Sequence, residues 1–419
     1  MLQPLRHPTD ALRLPEQQQL LSMVRENARG NWQVSDSPPI SVRALVEPSA
    51  TFALLLAGPA RAMQAFGLDW DEHATLMTYL LIALGVTLPA ALSAGLVYRM
   101  ARLFELSRPH RAALGLLCVA ASGLISYATT LNPHALAAAL VIASSTSVLH
   151  ALRAVSARRG VGWALPAGFA AMLAASLDVS SLPIAVLMPL VFLAWRVSWS
   201  ARLVAVGLFV LGALPPMALH RSLHAGAVTA PLDELVAQPP IYRVDESSDD
   251  LESGWAPWLA YHADRMVTAT VGQHGLLSHF PLLLWGGVGT LMLMHRHWPE
   301  ALKWLAGATF IAATVAAVAV VLSRQDFADA AYATRWFIAF SPLLLFWSGA
   351  WLRKPHGRLA WTLVTLAAMF SVTAGMIGAA RPMPPGGYRE GFTAAAALDQ
   401  LIHPNRPPAQ SNALIVGAR

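Results

Sequence analysis

Apolar residues along this chain neither alternate nor keep to one stripe of a helix; from residue 75 to residue 379 they run in long blocks. Crossing a hydrocarbon core about 30 Å thick takes about 20 helical residues, and the blocks approach that length. Bounded by Arg, Lys, His, Pro and Gly, they predict about ten spans: 75–98, 112–130, 135–152, 161–177, 181–196, 203–220, 279–295, 302–322, 336–352 and 359–379. Open strands are excluded because their unpaired amides would face lipid. The predicted fold class is all-α, a polytopic transmembrane helical bundle.

The polar connections sort by charge. One set holds Arg99, Arg102, Arg108 and Arg111, then Arg153, Arg158 and Arg159, Arg196 and Arg202, Arg296 and Lys303, and Arg353, Lys354 and Arg358, opposed only by Glu105 and Glu300. The positive-inside rule assigns these turns to the cytoplasm. The other set carries most of the acids, among them Asp245, Glu246, Asp249, Asp250 and Glu252. It comprises an extracytoplasmic N-terminal segment 1–74, the turn 131–134, an outer loop 221–278, the loop 323–335 and a tail 380–419; the bundle occupies 75–379.

Within the N-terminal segment, Glu16 to Asn27 predicts an amphipathic helix with Leu20, Leu21, Met23 and Val24 on one side. Ile40 to Phe66 is apolar but interrupted by Arg43, Glu47, Pro48, Pro59 and Arg61, which predicts a helix lying at the outer interface. A polar start placed outside leads to the expectation of a further span upstream of residue 1, the alternative being a first span that inserts with its N-terminus outside.

Composition agrees with this reading: 56% of residues are hydrophobic and 12% charged, against about a quarter charged in soluble domains. The net charge of +6 is dispersed between apolar blocks, which argues against a nucleic-acid-binding patch. Cys118 is the single cysteine, so the chain has no internal disulfide. His274 and His279 lack a third ligand of suitable type nearby, so no metal is expected and a divalent ion has no support.

Chemistry concentrates at a few outer span ends. Asp178 is a carboxylate within an apolar stretch, either a functional polar site or a cap shared with Ser180 and Ser181. Asn132, Pro133 and His134 read as an outer turn, and Trp336 as an aromatic-belt residue beside Arg335.

The N-terminal residues also carry a resemblance. Pro15 and Glu16, the stretch Gly30, Asn31 and Trp32, and the run Asp36, Ser37, Pro38 and Pro39 resemble the acidic pair, the Gly-Asp-Trp-like stretch and the acid-Lys-Pro-Pro motif of GT-C membrane glycosyltransferases, such as the aminoarabinose and protein mannosyl transferases. Gly272 to His279 and Ala333 to Trp336 are similar to stretches at span ends of bacterial GT-C-like proteins. Gln17 stands in place of the family's second acid, and Ser37 in place of its phosphate-binding lysine.

The resemblance implies a GT-C-like bundle without a cofactor in the inner (plasma) membrane of a bacterium. It implies inverting transfer of a sugar from a polyprenyl-phosphate donor to a lipid, glycan or protein acceptor at the outer face. Asp36 and Glu16 are then the candidate bases, and Arg43, His134, Asp178, His274, His279, Arg335 and Trp336 the candidate substrate-binding residues. Arg43, Arg265, Arg324 and Arg335 are candidate partners of the lipid phosphate. Gln17 and Ser37 favour an alternative, a non-catalytic protein that binds or moves lipid-linked glycans. A transporter, which would show paired broken helices at the midplane, ranks behind both.

Overall fold

A computed structural model describes residues 15–29, 49–223, 242–243, 251–252, 255–295, 297–323, 332–333, 335–382 and 392–402. The motif residues Gly30 to Pro39, with Asp36, and also Arg43 and Arg324, lie outside the described residues, as does the side chain of Glu16.

The described elements are helical except for a two-residue antiparallel pair, β1 (Tyr242–Arg243) and β2 (Leu251–Glu252). Two helices precede the bundle, α1 (Pro15–Ala28) and α2 (Ala50–Ala65). Six further helices are long and apolar enough to cross a membrane: α3 (Trp70–Phe104), α5 (Pro133–Arg153), α6 (Ala157–Leu177), α8 (Trp199–Leu223), α11 (Glu300–Leu322) and α13 (Arg358–Ala380). Shorter helices are α4 (Arg108–Ala120), α7 (Val179–Ala194), α9 (Trp255–Thr270), α10 (Leu283–Met294), α12 (Ser341–Leu352) and α14 (Thr393–Ile402). The chain is a multi-pass helical membrane protein. Its surface agrees, since Leu92, Val210, Leu363 and Met369 stand exposed on the long helices, where lipid rather than water would meet them.

Four expected spans are therefore not long straight helices, and the backbone shows why. Helix α4 stops after 13 residues, about 20 Å, because Gly123 takes a left-handed φ of +85° and turns the chain into a 3₁₀ segment, Leu124–Tyr127. Pro183 and Pro189 divide α7 into 3₁₀ and α pieces. Apolar composition had made these stretches look continuous, since it reports burial in lipid and not backbone geometry. Conversely, α3 is longer than expected and contains a π-helical turn, Ala83–Thr87.

Close packing depends on missing side chains. A Cβ on Gly168 of α6 would lie 1.9 Å from the Phe209 carbonyl oxygen of α8, and one on Gly212 would lie 2.1 Å from that of Leu165. The two helices meet backbone to backbone, the approach that small residues allow in membranes.

Helices α1 and α2 dock on one end of this bundle. Leu20, Met23 and Val24 are buried, as the amphipathic pattern requires, and Arg25 pairs with Asp71 at 2.6 Å. Ser49 caps α2 by accepting from Phe52 N and donates to Ser176 O at the end of α6. With 16 residues, α2 is about 24 Å long, short of a crossing.

Candidate functional site

Helix α5 runs from Asn132 and Pro133 to Arg153, about 30 Å, so its two ends belong to opposite ends of the bundle. The polar constellation forms at the end that lacks the arginine-rich turns. Asn132 starts α5: its Oδ1 accepts from Ala135 N at 3.2 Å, and its Nδ2 donates to the carbonyls of Tyr127 at 2.7 Å and Thr130 at 2.8 Å. Pro133 follows at the first helical position, where its missing N–H costs nothing. This cap aims His134, one residue on, into the protein.

There it meets Asp178. The carboxylate sits at the break between α6 and α7, and it does two things at once. Oδ1 accepts from Ser180 N at 3.0 Å, starting the next turn, while Oδ2 lies 2.6 Å from His134 Nδ1. The sequence left a cap and a functional polar site as alternatives; the structure shows the cap and, beside it, a buried pairing with His134. Side-chain exposure is 7% for His134 and 3% for Asp178, and Asp178 is the only buried carboxylate among the described residues. A carboxylate accepts, so His134 Nδ1 carries the hydrogen, and in the neutral imidazole Nε2 presents a lone pair. No described residue hydrogen-bonds that Nε2.

Two further predicted residues complete the row. The Trp336 indole stands edge-to-face against the His134 ring at 5.1 Å, and the Arg335 guanidinium carbon lies 4.4 Å from the Trp336 ring centroid. Both are buried in a 3₁₀ turn, Arg335–Phe337, immediately before α12. Trp336 therefore belongs to the protein interior rather than to a lipid-facing belt. The order is Asp178, His134, Trp336, Arg335.

A second group surrounds His279. Its Nδ1 donates to Gly275 O at 2.8 Å, and its Nε2 meets the Thr393 hydroxyl. Thr393 Oγ1 already accepts from Ala333 N, so its own hydrogen is directed to the imidazole. Phe392 stacks on the ring at 4.3 Å and Tyr332 stands edge-on at 5.3 Å. Both His279 nitrogens are used within the protein, which places this residue in the framework, clamping the start of α14 to the turn before α10. The two groups are joined by Tyr127, whose hydroxyl donates to Tyr332 O while its carbonyl accepts from Asn132.

His274 is buried near His279. Helix α9 adds buried His262 and Arg265, and burial together with the Arg265 charge holds the His262 imidazole below its ordinary value. Among the described residues no group of three His, Cys, Asp or Glu side chains is placed to hold a metal ion.

Sequence reasoning named each member of the row but not the pairing of His134 with Asp178, 44 residues apart. It missed Asn132 as the aiming cap and Thr393 and Tyr127 as connectors. A cap signal was present in Asn132 followed by Pro133; Thr393 and Tyr127 gave none. Comparison of the chain with protein-family models, with curated proteins and with solved structures finds no match.

Proposed function

We propose that this protein is a glycosyltransferase of the bacterial inner membrane, in which all ten apolar segments cross the bilayer in a GT-C-like arrangement. It transfers a sugar from a polyprenyl-phosphate donor to an acceptor at the outer face. The observation that carries this reading is the buried row Asp178, His134, Trp336 and Arg335 at the end of the bundle opposite the basic turns. Ionisable side chains are costly at such depth, and their retention favours a functional site. Glycosyl transfer needs three things this row offers: a proton acceptor for the incoming hydroxyl, a cation for the departing phosphate and an apolar face for a sugar ring.

Arg335 takes the part of the phosphate cation, because a guanidinium matches a phosphate through two parallel donors. That assignment offsets Ser37 standing where related enzymes have lysine. The test uses membranes containing the full chain, supplied with tritiated mannose, glucose or aminoarabinose on polyprenyl phosphate. Label should pass to lipid, glycan or protein, and Arg335→Ala should reduce transfer at least a hundredfold with expression unchanged. Tight binding of polyprenyl phosphate without transfer from any donor would instead favour the non-catalytic glycan-binding alternative.

A further inference from the structure

We propose that His134, held by Asp178, is the base that takes the proton from the acceptor hydroxyl. The inference rests on the glycosyltransferase reading and assigns one step within it. The N-terminal acids, Asp36 and Glu16, are the candidates that sequence resemblance supplies; the geometry points to an imidazole inside the bundle.

Three observations converge. First, Asp178 at 2.6 Å from Nδ1 fixes the ring's tautomer and orientation, which is the arrangement that makes the opposite nitrogen a proton acceptor and steadies the imidazolium once formed. A capping role alone would need only the Asp178 oxygen that accepts from Ser180 N. Second, Nε2 has no hydrogen-bond partner among the described residues. Third, the hydroxyl oxygens of Ser180 and Ser181, on the turn that follows Asp178, are buried with no hydrogen-bond partner among the described residues. Buried hydroxyls are nearly always hydrogen-bonded, so a pair without partners beside a half-engaged imidazole fits a ligand rich in hydroxyl groups.

The step balances without a co-reactant. The acceptor O–H proton passes to His134 Nε2 as the acceptor oxygen bonds the anomeric carbon. The bond from that carbon to the phosphate oxygen breaks, and its electron pair leaves with the polyprenyl phosphate beside Arg335. His134 then returns the proton to water. The charged groups that touch this assembly among the described residues are Asp178, bonded to the imidazole, and Arg335, stacked on the indole that the imidazole also touches. The neighbouring Asn132, Ser180 and Ser181 carry no charge.

The experiment compares the full-length wild-type chain with His134→Gln, His134→Ala and Asp178→Asn, each purified in detergent and assayed with the tritiated donor that the wild type uses. His134→Gln keeps an N–H for Asp178 but accepts no proton, so kcat should fall by about 10²–10⁴-fold while the donor KM stays within about twofold. Added imidazoles should rescue His134→Ala, with rates that rise with the basicity of the added compound, a dependence that simple cavity filling would not produce. Wild-type transfer with His134→Gln retaining its kcat overturns the assignment and leaves the glycosyltransferase reading intact. Absence of transfer by the wild type overturns both. Failure of all three variants to elute as single species assigns the pair to structure and also overturns the inference.

Discussion

The two ends of the bundle spend polar residues differently. At the basic end they are wet: Arg99, Arg102, Arg108, Arg158 and Arg159 are exposed, and the Arg353–Glu105 pair leaves 43% and 71% of its side chains open to solvent. Pairs of that kind contribute little to stability, and by the positive-inside rule basic turns bias which way helices insert. At the opposite end, beside exposed groups such as Asp71 and Glu72, a set of polar side chains lies inside. His134, Asp178, His279 and Arg335 are buried and tied to caps and neighbouring rings. Burial there raises the cost of every unmet hydrogen bond, so geometry is held tightly where chemistry is proposed.

The largest test of this contrast is a reversal of sidedness. With Cys118 buried and silent, a cysteine at exposed Glu72 should react with an impermeant maleimide on intact cells. A cysteine at exposed Arg158 should react only after the membrane is opened. The opposite pattern would put the buried row in the cytoplasm and remove the basis for transfer at the outer face.

Next in size is the energetic difference. Asp178→Ala leaves the buried His134 N–H without its acceptor and removes the cap on Ser180, and should destabilise the detergent-solubilised protein by about 2–5 kcal/mol, whereas Glu105→Ala should cost less than about 1 kcal/mol. Thermal unfolding of the two variants side by side reads this directly, and equal losses would erase the distinction between the ends. Smaller again is Thr393→Val, which removes the hydroxyl that meets His279 Nε2 and frees the start of α14. Its cost should be about 1–3 kcal/mol, with faster proteolysis of the C-terminal segment as the accompanying sign.

Much of the architecture was already legible from residue order. Blocks of about 20 apolar residues can satisfy their amides in lipid only as helices, and six of the ten expected spans are helices of crossing length. The amphipathic stripe of Leu20, Met23 and Val24 similarly announced α1, since a period near 3.6 has one structural meaning. Element lengths were less legible: the break after α4 depends on one left-handed glycine and that in α7 on two prolines, local backbone events that block hydropathy averages away.

The candidate site divides in the same way. Residue chemistry alone singled out Asp178, because a carboxylate within an apolar stretch demands an explanation; His134, Arg335 and Trp336 were named as site residues through the resemblance. Their joining into one row was settled by packing. Asn132 turns His134 inward, the α6–α7 break lifts Asp178 to meet it, and a 3₁₀ turn brings Trp336 and Arg335 alongside. Hydropathy and charge are properties of single segments and can be read in sequence order, whereas a hydrogen bond between residues 44 positions apart exists only once the helices that carry them have packed.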